Sequence, residues 1–116
     1  MGKLTTHVLD TANGCAAAGV AISLYRLQPQ RQLIAEGTTN SDGRLDQPLL
    51  EQQDFLPGTY ELIFKAGDYF RRLDLQLPDP PFIDEVPLRF GIANSDQHYH
   101  VPLLVSPWSY STYRGS

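Results

Sequence analysis

Three histidines, His7, His98 and His100, are the residues of this chain best suited to chemistry near neutral pH. An imidazole there is a ready general base, able to take a proton from water as the water attacks an electrophilic carbon. His98 and His100 stand two residues apart, so on a β-strand both rings project from one face. With His7 they allow two readings: a base that works without metal, or a three-histidine zinc site holding a water. The lack of a carboxylate pattern that would orient metal-bound rings weakens the second. Arg44 follows the turn Asn40-Ser41-Asp42-Gly43 and is read as the start of a strand. Its planar fork of donors suits a flat anion or a developing oxyanion, and it reads also as a solvated residue at a strand edge. The tail, residues 108–116, is rich in aromatic and hydroxyl side chains, and alternation places Ser111, Tyr113 and Gly115 on one face.

Other catalytic templates are missing. The chain has no G-x-S-x-G, no Gly-rich phosphate loop and no H-E-x-x-H. Its one cysteine, Cys15, rules out an internal disulfide and a C-x-x-C pair, and it reads as a small turn residue after Asn13-Gly14. Asp84 and Glu85 are neighbours, so a strand points them to opposite faces and they cannot share a substrate.

The elements that must position the histidines are strands. Alternating or β-branched runs occupy residues 4–10, 20–27, 33–39, 59–64, 86–92, 99–105 and 109–114, separated by Asn, Asp, Gly and Pro turn signals. That spacing predicts an all-β two-sheet sandwich of about eight strands. Helical pattern is thin, with short candidates over 49–55 and 68–72. Strand periodicity predicts core faces from Val20, Ile22 and Leu24, from Tyr60, Leu62 and Phe64, from Leu4, Thr6 and Val8, and from Tyr99, Val101, Leu103 and Val105. The histidines fall on the faces opposite that core, on a rigid sheet where a site can be built with precision.

The bulk numbers agree with a small enzyme or carrier and exclude several partners. At 116 residues the chain is expected to form one domain, residues 1–116, able to bury a real core. Nine Lys and Arg against thirteen Asp and Glu, with no basic run, leave no footprint for nucleic acid. No apolar stretch approaches the length of a membrane span, and the opening residues carry no basic segment followed by an apolar run. A cytoplasmic location is expected.

These pieces resemble a known family. The opening Leu4-Thr5-Thr6-His7-Val8-Leu9-Asp10, the turn into Arg44, the run His98-Tyr99-His100-Val101-Pro102-Leu103-Leu104 with Ser106-Pro107, and the ending Tyr110-Ser111-Thr112-Tyr113-Arg114-Gly115-Ser116 look like the 5-hydroxyisourate hydrolases, the transthyretin-related enzymes. The closing Tyr-Arg-Gly-Ser is the most specific of the four, since it separates the enzymes from transthyretin, a hormone carrier of the same fold. The resemblance implies a transthyretin-like sandwich that pairs edge to edge and assembles as a homotetramer, two dimers enclosing a channel lined by active sites. It implies that His7, Arg44, His100 and Tyr113 meet the substrate, with His98 beside them, Ser111 on the same face and Ser116 near the pocket. No cofactor is expected. The implied reaction is hydrolysis of a ring amide of 5-hydroxyisourate to a ureidoimidazoline carboxylate, with His7 or His100 as base and Arg44 on the oxyanion. The chain departs from transthyretin in offering only a short helix, around residues 67–72. Two rivals stay open: a carrier binding an apolar aromatic ligand in the same channel, and a zinc hydrolase.

Overall fold

Alternation of apolar and polar residues builds a two-sheet sandwich, seen in a computed structural model that describes residues 2–73 and 75–115. One sheet contains β1 (Lys3–Asp10), β2 (Cys15–Ala16), β5 (Leu50–Glu51), β8 (Tyr99–Val105) and β9 (Tyr110–Thr112) in the order β2-β1-β8-β9, with β5 also on β1. The other contains β3 (Ala21–Arg26), β4 (Gln32–Thr38), β6 (Gly58–Lys65) and β7 (Glu85–Ile92) in the order β4-β3-β6-β7. A seven-residue helix, α1 (Ala66–Arg72), follows β6 directly and buries Tyr69 and Phe70. Among the described residues, no helix is long and apolar enough to cross a membrane.

The predicted core faces meet between the sheets. Val20, Ile22, Leu24, Tyr60, Leu62, Phe64, Leu4, Val8, Leu103 and Val105 are all at most 1% exposed. On the described strands the period-two rule therefore places the histidine-bearing side of β1 and β8 outward. Burying this many large side chains is the main driving force for the fold, since each contributes about 1.5–3 kcal/mol relative to exposure.

Three expectations need correction. Residues 49–55 do not form a helix: Leu50–Glu51 join the sheet edge and Gln52–Asp54 make one 3-10 turn. Gln52 has φ 54°, a left-handed conformation from which an α-helix cannot propagate, while Leu49, Leu50 and Phe55 still reach the core. Arg44 does not begin a strand but makes an isolated bridge to His7. The last strand is shorter than residues 109–114, ending at Thr112, and His98 lies one residue before β8.

The pairing that matters for the site is parallel. β1 runs beside β8 in register from Leu4 opposite Tyr99 to Asp10 opposite Val105. Thr6, on the core face, donates its hydroxyl to the Val101 carbonyl at 2.7 Å and ties the two strands from inside. The other edge of β1 is shared: β5 pairs at Lys3 and Leu4, and β2 at Leu9 and Asp10. Between them a stretch of β1 is left for the turn that carries Arg44.

Candidate functional site

The parallel register sets Thr5 directly opposite His100, and the bridge sets Arg44 opposite His7. Facing residues in a ladder project their side chains to the same side, so Thr5, His7, Arg44 and His100 share the outer face of this sheet. The His7 and His100 rings lie 6.4 Å apart, centre to centre, tilted by 43°. Both rings are half-buried, while Arg44 and His98 are exposed.

Arg44 is delivered by a closed turn. Asn40 accepts at its side-chain oxygen from the Asp42 and Arg44 amides, at 2.9 and 3.2 Å, and its own amide donates to the Arg44 carbonyl at 2.8 Å. The Val8 amide donates to the Gly43 carbonyl at 2.8 Å, docking the turn on β1. Gly43 is required here: its φ is 75°, and a Cβ would stand 2.5 Å from the Val8 carbonyl oxygen. A tight glycine turn thus converts a residue 37 positions away in sequence into the cross-strand neighbour of His7.

The tail closes the other side of His100. Gly115 and His100 exchange backbone hydrogen bonds at 2.7 and 3.3 Å. A Cβ on Gly115 would meet the His100 ring at Cδ2, 3.0 Å away, so any larger residue would push the ring or the tail aside by a few tenths of an ångström. Arg114 anchors the tail by lying 4.1 Å over the Tyr99 ring and donating to the His98 carbonyl at 3.1 Å.

The electrostatics favour bases over acids. Partial burial and the Arg44 guanidinium both hold the His7 and His100 imidazoles below their ordinary pKa of 6.5. His7 and His98 add to this at His100, whereas a backbone hydrogen bond at Asp42 and its carboxylate work the other way at His7. The rings are consequently uncharged at neutral pH, with a lone pair available. Beside them runs a groove of about 310 Å³ bordered by Thr5, Arg44, Asp46, Gln47, Pro48 and His98.

The structure brings His7, Arg44, His98 and His100 to one place. Ser111 stands opposite Leu104, toward the far end of β8 from His100. Tyr113 is 60% exposed and, with Thr112 and Arg114, borders a different cleft formed with Leu88, Phe90, Tyr99 and Val101. Ser116 lies outside the described residues. Among those described, no three His, Cys, Asp or Glu side chains converge as a set of metal ligands. Two contributions were not read from sequence, the hydroxyl of Thr5 and the contact of Gly115 with a histidine ring. Thr5 touches both His98 and His100 through its hydroxyl, and Gly115 abuts the His100 ring. The signal for Thr5 was its place on the His7 face, two residues away.

Fold and site together define a transthyretin-like sandwich whose outer face carries neutral imidazoles beside a guanidinium. The HIUase/Transthyretin family profile matches residues 4–115, and the chain belongs to that family. It is 62% identical to the 5-hydroxyisourate hydrolase of Pseudomonas aeruginosa, over 100% of this chain and 93% of that one. Among solved structures it is similar to an (S)-allantoin synthase, with TM-score 0.95 and 54% identity over 99% of this chain, which spans only 44% of that longer one. It is also similar to sea bream transthyretin solved with thyroxine, with TM-score 0.86 but 27% identity, over 97% of this chain and 94% of that one.

Proposed function

We propose that this chain hydrolyses 5-hydroxyisourate in urate breakdown, opening its ring amide to give 2-oxo-4-hydroxy-4-carboxy-5-ureidoimidazoline. The observation that carries this reading is the meeting of His7, Arg44 and His100 on one rigid outer face, opposite the core. A fold shared with a hormone carrier decides nothing alone; the residues on that face do. A face meant for an apolar ligand has no use for a charged guanidinium and two imidazoles.

In this mechanism one imidazole of the His7 and His100 pair takes a proton from water as the water attacks the ring carbonyl carbon. Arg44 donates to the carbonyl oxygen as it becomes an oxyanion, and the protonated histidine then returns its proton to the departing ring nitrogen. Because partial burial, with Arg44 alongside, keeps the imidazoles uncharged, the base is ready at neutral pH. General-base help contributes about 10²- to 10⁴-fold, and an oxyanion donor about 10²- to 10³-fold. His98 and the tail residues Ser111, Tyr113 and Ser116 belong to the substrate surface in this reading. Ser111 pairs at the far end of β8 from His100 and Tyr113 borders a neighbouring cleft, so their contribution fits the edge-to-edge and face-to-face assembly of a homotetramer. We place the enzyme in the cytoplasm, a reducing compartment that suits a single free, exposed Cys15.

The test follows the ultraviolet decay of 5-hydroxyisourate generated from urate in the cuvette. Decay well above the blank that survives a chelator and is lost in His100→Ala and Arg44→Ala supports the reading. Decay at the blank rate with folded wild-type protein overturns it.

A further inference from the structure

The Thr5 hydroxyl lies 2.9 Å from Nδ1 of His100 and 3.3 Å from Nε2 of His98. A hydroxyl has one proton and two lone pairs, so between two neutral rings it donates to one and accepts from the other. The polarity of that pair of hydrogen bonds decides where the His100 ring proton sits. If His98 donates from Nε2 and Thr5 donates to Nδ1 of His100, the ring proton of His100 is left on Nε2. In that state His100 is a donor. If instead Nδ1–H of His100 donates to Thr5, and Thr5 donates to Nε2 of His98, then Nε2 of His100 is bare and can accept a proton.

We propose that Thr5 is a positioning residue that holds His100 in its Nδ1–H tautomer, so that the bare Nε2 faces the substrate water and His98 is the acceptor completing the arrangement. This rests on the hydrolytic reading above. The geometry supports it from both sides of the ring. Nδ1 and Cδ2 are the two ring atoms flanking the attachment point. The first is held by Thr5, and the second is covered by Gly115, where a Cβ would be 3.0 Å away. The far corner, Cε1 and Nε2, is the part left to meet a ligand.

The choice of a hydroxyl rather than a carboxylate as the orienting group has a physical reason. A carboxylate at Nδ1 orients a catalytic imidazole too, but its charge also favours the protonated ring. The ionisable groups around His100 are Arg44 from the turn, His7 from β1 and His98 from just before β8, all of which disfavour that form. A neutral orienting group leaves their effect intact, so the ring stays uncharged while its tautomer is still chosen. When Nε2 takes the proton, Nδ1–H keeps its hydrogen bond to Thr5, and no partner has to move.

Thr5→Val keeps the β-branched shape on the strand and removes the hydroxyl; Thr5→Ser keeps the hydroxyl. Removing the outer partner that orients an imidazole typically costs about 10- to 100-fold. We expect that loss in kcat for Thr5→Val, with KM little changed, and recovery of most of it in Thr5→Ser. The readout that needs no substrate is the ¹⁵N spectrum of His100: predominantly Nδ1–H in the wild type and in Thr5→Ser, shifting to a mixture of tautomers in Thr5→Val. An unchanged His100 spectrum in Thr5→Val, or Thr5→Ser behaving like Thr5→Val, overturns the proposal. Failure of the wild type to hydrolyse 5-hydroxyisourate would instead count against the function, while the spectra would still decide the role of Thr5.

Discussion

On the outer face of the β4-β3-β6-β7 sheet, Glu61 is gripped by Arg31 at 3.1 Å and Arg89 at 2.9 Å, and Arg31 lies 3.7 Å over the Tyr25 ring. On the outer face of the other sheet, Arg44 stands beside His7 and His100, and among the described residues no carboxylate is within ion-pair distance of it. Both clusters are built around strand residues, Glu61 on β6 and His7 on β1, and both use arginine beside a ring. The first is complete: two cations share one carboxylate, which is only 5% exposed because the arginine side chains cover it. The second leaves the Arg44 guanidinium without a carboxylate partner among the described residues, and in the proposed function the electron-rich substrate completes it. A cluster that closes on itself contributes stability, whereas one left open gives up some stability for chemistry.

The contrast is tested most severely by Arg44→Gln. Catalytic efficiency should fall about 10²- to 10³-fold, as for loss of an oxyanion donor, while the urea midpoint stays level or rises because an unneutralised cation has been removed. A drop in both would make Arg44 as structural as Arg89. Gly115→Ala comes next. Its methyl would displace the His100 ring by a few tenths of an ångström, and activity should fall about 10- to 100-fold with the chain still folded, as measured by kinetics alongside circular dichroism. On the other sheet, Glu61→Gln should cost about 1–2 kcal/mol in urea denaturation and leave hydrolysis within about twofold of wild type. The cost is at the low end for hydrogen bonds to charged groups because both arginines are more than half exposed.

The smallest expected effects are in titration. Histidine resonances followed by NMR should give His7 and His100 midpoints below 6.5, rising toward 6.5 in Arg44→Gln. A histidine that is harder to protonate when folded contributes stability above pH 6.5 that is lost as the pH falls from 6.5 toward its folded midpoint. Glu61 lies below its ordinary 4.5, held there first by the Arg89 hydrogen bond, so its contribution persists lower and is lost only as the pH falls from 4.5 through its folded value. Acidification should therefore weaken the catalytic face before the closed cluster, with the wild-type rate falling on an acid limb centred below 6.5.

Much of this architecture was legible in the residues. Alternation in Leu4-Thr5-Thr6-His7-Val8 separates core from outer face because a strand's period is two, and the same rule assigns His100 opposite Val101. What periodicity cannot carry is pairing. Nothing local states that β1 lies parallel to β8, and only that register places Thr5 against His100. A threonine on a strand reads as a β-former, so its hydroxyl acquires meaning only from what stands across from it. Arg44 was identifiable by type and by its turn, but the turn docks on β1 through backbone hydrogen bonds instead of starting a strand, because β2 and β5 already occupy the rest of that edge. Residues 49–55 misled because their apolar spacing serves to seal one end of the sandwich, a demand that helical and irregular segments meet equally well.

The pairing of β1 with β8 also joins the two ends of the chain. Thr5 and His100 are 95 residues apart, so the face they form depends on closing nearly the whole chain into one loop, a larger entropic cost than the β3-β4, β3-β6 and β6-β7 pairings of the other sheet carry. A chain folded only in its middle would have a sheet but no active surface. On the proposed function, hydrolysis would therefore report that these two distant strands have met.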